Sequence, residues 1–151
     1  MTDSTFNAAA AAVAPADIKA LANSLPDVGR GARWFWWIAG FTAINAAMIL
    51  GRSNTHFVVG LALTQLAHVG LSSSVALLVD ALMVLAFFLA GLKAKDGSTP
   101  ALVLGALVYA LDALVYVSYA DWLPVAIHGV ALFYIVSGFL ALQRAKKASG
   151  F

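Results

Sequence analysis

The sequence predicts an all-α, polytopic membrane protein: a four-transmembrane-helix bundle with a re-entrant outer half-helix and an N-terminal amphipathic helix. Hydrophobic residues make up 62% of the 151 residues and charged residues only 11%, whereas about a quarter of a soluble domain is charged. Four apolar segments each approach the roughly 20 residues that cross a bilayer as a helix. They are residues 34–50, 75–92, 101–120 and 122–143.

The N-terminal segment, residues 1–33, is expected to lie in the cytoplasm. Its first residues lack the basic stretch and strongly apolar core of a signal peptide, so no cleavage is expected. Pro15 suits the first turn of a helix, and Asp17 suits its positive end. Apolar residues then follow at the spacing of an amphipathic helix, which would lie on the lipid surface or cap the bundle: Ile18, Leu21, Ala22 and Leu25. Residues 27–33, with two glycines, predict a hinge.

Residues 57–71 form a further apolar segment that is too short to cross easily. If it returns to the side from which it came, eight of the nine Lys and Arg residues lie on one side and only Arg52 lies opposite. If it crosses, the split becomes six against three. Since short cytoplasmic loops are rich in Lys and Arg, the first arrangement is favoured. The eight residues are Lys19, Arg30, Arg33, Lys93, Lys95, Arg144, Lys146 and Lys147.

This topology predicts a multi-pass protein of a bacterial inner membrane with both termini in the cytoplasm. The transmembrane domain would cover residues 34–144, and residues 145–151 would form a cytoplasmic tail. Aromatic residues suit both membrane interfaces: Trp34, Phe35, Trp36 and Trp37 inside, and Tyr116, Tyr119 and Trp122 outside.

The re-entrant segment needs shielding from lipid, because lipid cannot satisfy the polar ends of its backbone. We therefore expect residues 57–71 to plug the outer mouth of the bundle. Gly60 and Gly70 would allow neighbouring helices to approach closely. Residues 72–74 are serines that would form the next turn and cap the following helix.

Polar residues of separate segments share one predicted depth. Counted from the outer ends of the spans at ~1.5 Å per residue, these residues lie roughly 6 to 10 Å below the outer surface: Asn45, Asp80, Asp112 and His128. Within the short segment, Thr64, Gln65 and His68 can share one face. A buried Asp in a membrane helix costs about 2.5 to 3.5 kcal/mol on insertion scales, so it needs a partner or a function.

The polar layer is a candidate binding site. Carboxylate and imidazole are ligands for a divalent metal such as zinc, and the candidate metal ligands are His68, Asp80, Asp112 and His128. Other polar groups would orient water or a ligand: Asn45, Gln65, Tyr109 and Tyr116. The pocket would bind a metal, a proton or a small polar or lipidic ligand, and it could support metal-assisted hydrolysis.

Two alternatives to that site stay open. The same side chains can hold membrane helices together by hydrogen bonds without any turnover, which would suit a noncatalytic accessory or assembly subunit of a larger membrane complex, or a homo-oligomer. Haem between His68 and His128 is less favoured, because the segment that carries His68 is short.

Several function classes lack their motifs. The chain contains no cysteine, so thiolate chemistry and iron–sulfur clusters are excluded. It also contains no glutamate, so the His-Glu-x-x-His zinc motif is absent. No Gly-x-Ser-x-Gly turn and no glycine-rich phosphate loop occur. Neither a nucleotide nor a nucleic-acid partner is predicted, and the lipid bilayer is the expected surrounding.

Overall fold

The computed structural model describes residues 15–51 and 60–150, and these residues form six α-helices without a β-strand. In chain order the helices are α1 (Pro15–Ser24), α2 (Pro26–Leu50), α3 (Ala62–Gly70), α4 (Ser73–Lys95), α5 (Thr99–Ser118) and α6 (Trp122–Ala148). The predicted all-α class is therefore confirmed.

Three of these helices, α4, α5 and α6, are long and apolar enough to cross a membrane. This agrees with the prediction of a membrane protein. Helix α2 is also long, with 25 residues, but it begins with charged residues and contains tryptophans and Asn45, which lower its mean hydropathy. It is therefore not among the three.

The break between α1 and α2 lies at Leu25, where the backbone is extended. Pro26 follows in the first turn of α2, where a missing N–H costs nothing. The expected hinge at residues 27–33 is wrong, because these residues are helical. Gly31 serves helix packing instead: a Cβ there would lie only 3.0 Å from the carbonyl oxygen of Tyr134 on α6.

Helix α2 packs extensively against both α4 and α6, while α5 packs mainly against α6. A row of buried aromatic rings joins three helices. The rings of Phe35 and Phe87 are 6.1 Å apart, and those of Phe87 and Tyr109 are also 6.1 Å apart. Gly105 makes room for Phe35, whose ring occupies the position that a Cβ would take.

These contacts correct part of the predicted aromatic belts. Phe35 is completely buried and Tyr116 is 6% exposed, so both belong to the interior. Trp37, Tyr119 and Trp122 remain on the surface, at 58%, 69% and 65% exposure. Fewer of the predicted interface residues are therefore exposed than the sequence suggested, because helix packing buries the rings of Phe35 and Tyr116.

One end of the bundle, which we call the basic end, carries α1 and the connection between α4 and α5. Gly97 adopts a positive φ of 82°, and a Cβ there would lie 2.9 Å from a methyl group of Ile18. Lys19 forms an ion pair with Asp96 at 2.9 Å. Lys146 of α6 donates a hydrogen bond of 2.9 Å to the hydroxyl of Thr99. Helix α1 is therefore docked across the end of the bundle.

Helix α3 lies at the opposite end, which we call the polar end, and packs against α4 and α5. It has only nine residues, or about 13 Å of length.

The first part of the predicted segment, residues 57–59, lies outside the described residues. Gly60 is in close contact with Asn45, as expected. A Cβ at Gly70 would have no described atom within 4 Å, so the expected close approach at Gly70 is wrong. Ser72 precedes α4 without a side-chain cap, which corrects the expected capping role.

Candidate functional site

Asp112 of α5 binds the beginning of α3. Its Oδ2 accepts a hydrogen bond of 2.9 Å from the Ala62 amide, and its Oδ1 accepts one of 2.9 Å from the Leu63 amide. Leu61, the residue before α3, has no side chain that could cap these amides. A carboxylate from another helix therefore acts as the N-cap, and it lies at the positive end of the α3 dipole.

His128 of α6 completes the environment of that carboxylate. Its Nε2 lies 3.1 Å from Oδ2 of Asp112, and its Nδ1 lies 2.8 Å from the Pro124 carbonyl oxygen. A carbonyl can only accept, so Nδ1 must donate. Nε2 then faces a carboxyl oxygen, and one further proton has to lie between them. Both ring nitrogens of this wholly buried histidine are thus engaged.

Two tyrosines of α5 enclose the imidazole. The ring of Tyr109 stacks on His128 with centroids 4.1 Å apart and an angle of 14° between the planes. Tyr116 contacts the same imidazole at 5.3 Å and 55°. The Tyr109 hydroxyl is buried and has no hydrogen-bond partner among the described residues. The imidazole is therefore held by ring packing as well as by its two hydrogen bonds.

Tyr116 also binds the segment that leads into α3. Its hydroxyl donates a hydrogen bond of 2.9 Å to the Gly60 carbonyl and accepts one of 3.2 Å from Nε2 of Gln65. Asn45 of α2 is buried beside Gly60, and no Cβ would fit between them. The start of α3 is thus held between α2 and α5.

The other end of α3 is bound to α4 by a second pair. Nε2 of His68 lies 2.7 Å from Oδ2 of Asp80. The two side chains are only 13% and 5% exposed. Asp80 lies two turns into α4. This contact therefore holds the last turn of α3 beside α4, two turns from the start of α4.

The four predicted metal ligands therefore lie in two pairs, Asp112 with His128 and Asp80 with His68. No group of three or more His, Cys, Asp or Glu side chains that could hold a metal occurs in residues 15–51 and 60–150. A metal bound by all four residues stays a prediction. His56, the remaining histidine, lies outside the described residues.

The short helix also distributes its polar side chains differently from the expected common face. Gln65 reaches α5 and His68 reaches α4, while the Thr64 hydroxyl donates a hydrogen bond of 2.8 Å to the Leu61 carbonyl. The partners that sequence reasoning missed are mostly backbone groups, namely the amides at the start of α3 and two carbonyls. Backbone groups cannot be identified from residue types, although a buried Asp does indicate that hydrogen-bond partners lie nearby.

A cavity of about 360 Å³ opens beside α3 and α5 at the polar end. Gln65 and Tyr116, two of the predicted ligand-binding residues, line it together with Asp121. Asn45 and Tyr109, the other two, do not line it. The expected ligand-binding residues are therefore divided between this cavity and the interior of the bundle.

In comparisons with protein-family models, curated proteins and solved structures, no family, relative or fold matches this chain. The assignment of roles to these residues therefore depends on their contacts and chemistry.

Proposed function

We propose that this chain is a four-span membrane protein that acts as a structural or assembly subunit, and that its polar layer holds α3 as a re-entrant helix. The observation that carries the proposal is the environment of Asp112. Its carboxylate receives two backbone amides of α3 and the imidazole of His128. These three contacts engage most of the roughly four acceptor sites of a carboxylate, and they join α5 to α3 and α6.

The proposed topology rests on helix length and charge. Helix α2, with 25 residues, measures about 37 Å and can cross the bilayer beside α4, α5 and α6. Helix α3, at about 13 Å, cannot. The Lys and Arg residues of the described ranges lie at the basic end, where one cavity is lined by Arg30, Arg33 and Lys95. This end would face the cytoplasm of a bacterial cell, and the polar end would face outward.

The shielding of α3 supports the same topology. A re-entrant helix survives in a membrane only where protein or water satisfies its ends. The first amides of α3 bind Asp112, and its last turn contains His68, which binds Asp80. Both carboxylates belong to long apolar helices, so the bundle itself supplies partners for the first amides of α3 and for the imidazole in its last turn.

Cysteine labelling tests this topology cleanly, because the chain has no natural cysteine. We expect Ser72→Cys and Asp121→Cys to react with a membrane-impermeant maleimide on intact cells. Lys95→Cys should react only after permeabilisation, since it lies at the basic end. The measurement is the labelled fraction of each single-cysteine variant, with and without permeabilisation.

A crossing α3 would reverse all three of these results. Ser72→Cys and Asp121→Cys would then be inaccessible from outside, while Lys95→Cys would be labelled on intact cells. Gly51→Cys should be labelled from outside in either case, so it serves as the positive control for surface expression and reagent access.

A second candidate function, ligand binding, is favoured by the cavity at the polar end. A volume of about 360 Å³ lies within the range of small-molecule sites. Gln65, Tyr116 and Asp121 would bind the polar part of a small ligand, and the apolar lining would bind the rest. In this view the Asp–His pairs support the wall of the site and do not touch the ligand.

Filling the cavity tests this second function. Leu66 lines it and is 39% exposed, so Leu66→Trp would occupy the space without breaking a polar contact. We expect small molecules extracted from the purified protein to be recovered from the parent and lost from this variant. Leu63→Trp, at a 47% exposed position of the same helix outside the lining, is the control. Equal recovery from all three proteins would contradict ligand binding at this cavity.

A further inference from the structure

An apolar groove of about 340 Å³ lies between α4 and α5. Phe87 and Ala90 contribute to its lining from α4, and Leu104 and Val108 contribute from α5. These two helices are joined by a short connection, yet α4 packs more extensively on α2 than on α5. The groove is open to the surroundings of the bundle, and in a membrane an apolar chain must fill it, because an empty groove loses van der Waals contacts.

The groove leads to a basic cavity at the basic end. Leu89 and Lys93 line the groove, and they also line a second cavity of about 630 Å³. That cavity is shared with α1, which contributes Lys19 and Asn23. The apolar groove and the basic cavity are therefore adjacent, and Lys93 lies between them.

The described part of the protein does not balance the positive charges around this junction. Within the described part of the chain, neither Lys93 nor Lys95 forms an ion pair. The carboxylate of the cavity, Asp96, is paired with Lys19 at 2.9 Å. The ammonium of Lys95 lies 5.9 Å from the ring of Trp36, a distance typical of a cation–π contact. Two cations therefore remain for an external anion.

We propose that this junction is a binding site for an anionic phospholipid. Lys93 and Lys95 bind the phosphate, Asn23 donates to its oxygens, and one acyl chain occupies the groove between α4 and α5. Basic pockets at the cytoplasmic side of membrane helices bind lipid headgroups of this kind. The inference rests on the topology proposed above but not on the role of the polar layer.

Lipid binding to the purified full chain tests the proposal. Binding of phosphatidylglycerol and phosphatidylcholine is measured by native mass spectrometry from detergent micelles, and thermal unfolding is followed in parallel. We expect phosphatidylglycerol to bind more tightly and to raise Tm. Lys93→Gln and Lys95→Gln should each weaken its binding about five-fold, and the double variant roughly 25-fold. Lys147→Gln, at an exposed position outside both cavities, should leave binding unchanged.

A separate variant tests whether an acyl chain occupies the groove. Ala86 lines the groove and is exposed, so Ala86→Trp should weaken binding of both lipids by obstructing the acyl chain. Ala81→Trp places the same residue on an exposed position of α4 outside the groove and should have no effect. Unchanged Tm values without lipid show that the variants are folded.

Three results of the lipid-binding measurements would overturn the proposal. They are equal binding of the two lipids, binding that Lys93→Gln and Lys95→Gln do not weaken, and equal effects of Ala86→Trp and Ala81→Trp. Soluble glycerol phosphate is the probe for the headgroup alone: full competition by it at the lipid concentration would show a phosphate site without an acyl chain and would also overturn the proposal. If the topology itself is wrong, the cysteine labelling fails independently of these results.

Discussion

Replacing Asp112 with asparagine should lower the free energy of unfolding by about 3 to 5 kcal/mol, the usual cost of breaking a buried charge pair from one side. An amide offers one acceptor oxygen in place of two, so it cannot bind the Ala62 and Leu63 amides together. In either orientation of the side chain, its NH₂ group would also face one of these two amides, which are themselves donors. The measurement is chemical or thermal unfolding in detergent micelles, followed by tryptophan fluorescence.

The matched control is Asp121→Asn. Asp121 is exposed and precedes α6 without a side-chain capping bond, so its loss should change stability by less than about 0.5 kcal/mol.

A double variant of Asp112→Asn with His128→Ala should cost less than the sum of the single variants, because the two groups share one interaction. A stable Asp112→Asn protein that has only lost a bound metal would refute the structural role and support the metal hypothesis.

Replacing Gly138 with leucine should separate α2 from α6 and destabilise the protein by about 3 kcal/mol. A Cβ at this position would lie 2.8 Å from the Asp27 carbonyl oxygen and 3.3 Å from the Val28 Cα. These atoms belong to backbone and cannot rotate away, so one helix has to move. The gain in helix propensity, about 1 kcal/mol relative to glycine, offsets only part of this cost. Unfolding in micelles measures the net effect.

Gly129→Leu provides the comparison on the same helix. Apart from the adjoining residues and the nearby backbone of α6, no atom of the described residues lies within 4 Å of a Cβ at Gly129. Only the propensity gain therefore applies, and the variant should be as stable as the parent or more stable by up to about 1 kcal/mol. A similar loss of stability in both variants would contradict this explanation. It would show that leucine disturbs α6 itself, whether or not α2 packs closely at that position.

Much of the fold could be predicted because it follows from local composition. The apolar segments 75–92, 101–120 and 122–143 correspond to α4, α5 and α6, since a backbone in lipid must satisfy its own hydrogen bonds. The N-terminal amphipathic spacing likewise corresponds to α1. The hinge at residues 27–33 could not be rejected from sequence, because a glycine that permits close packing on α6 looks the same as a glycine that permits a bend.

The candidate site was only partly predictable. Depth follows from counting along a helix, so Asp80, Asp112 and His128 could be assigned to one layer. Which side chains meet depends on helix rotation and crossing, and these are set by packing contacts such as Phe35 in the space left by Gly105. The metal-ligand prediction treated the layer as one group for this reason, whereas the structure shows two Asp–His pairs.

The amino-acid sequence by itself determined the helical class, the apolar helices and the presence of carboxylates and imidazoles within apolar segments, because each of these depends on residue type and spacing. Only the tertiary structure decided that Asp112 caps α3, that His68 binds Asp80, and that a groove leads to Lys93. Those contacts join residues far apart in the chain, and their partners include backbone amides and carbonyls, which every residue type carries alike.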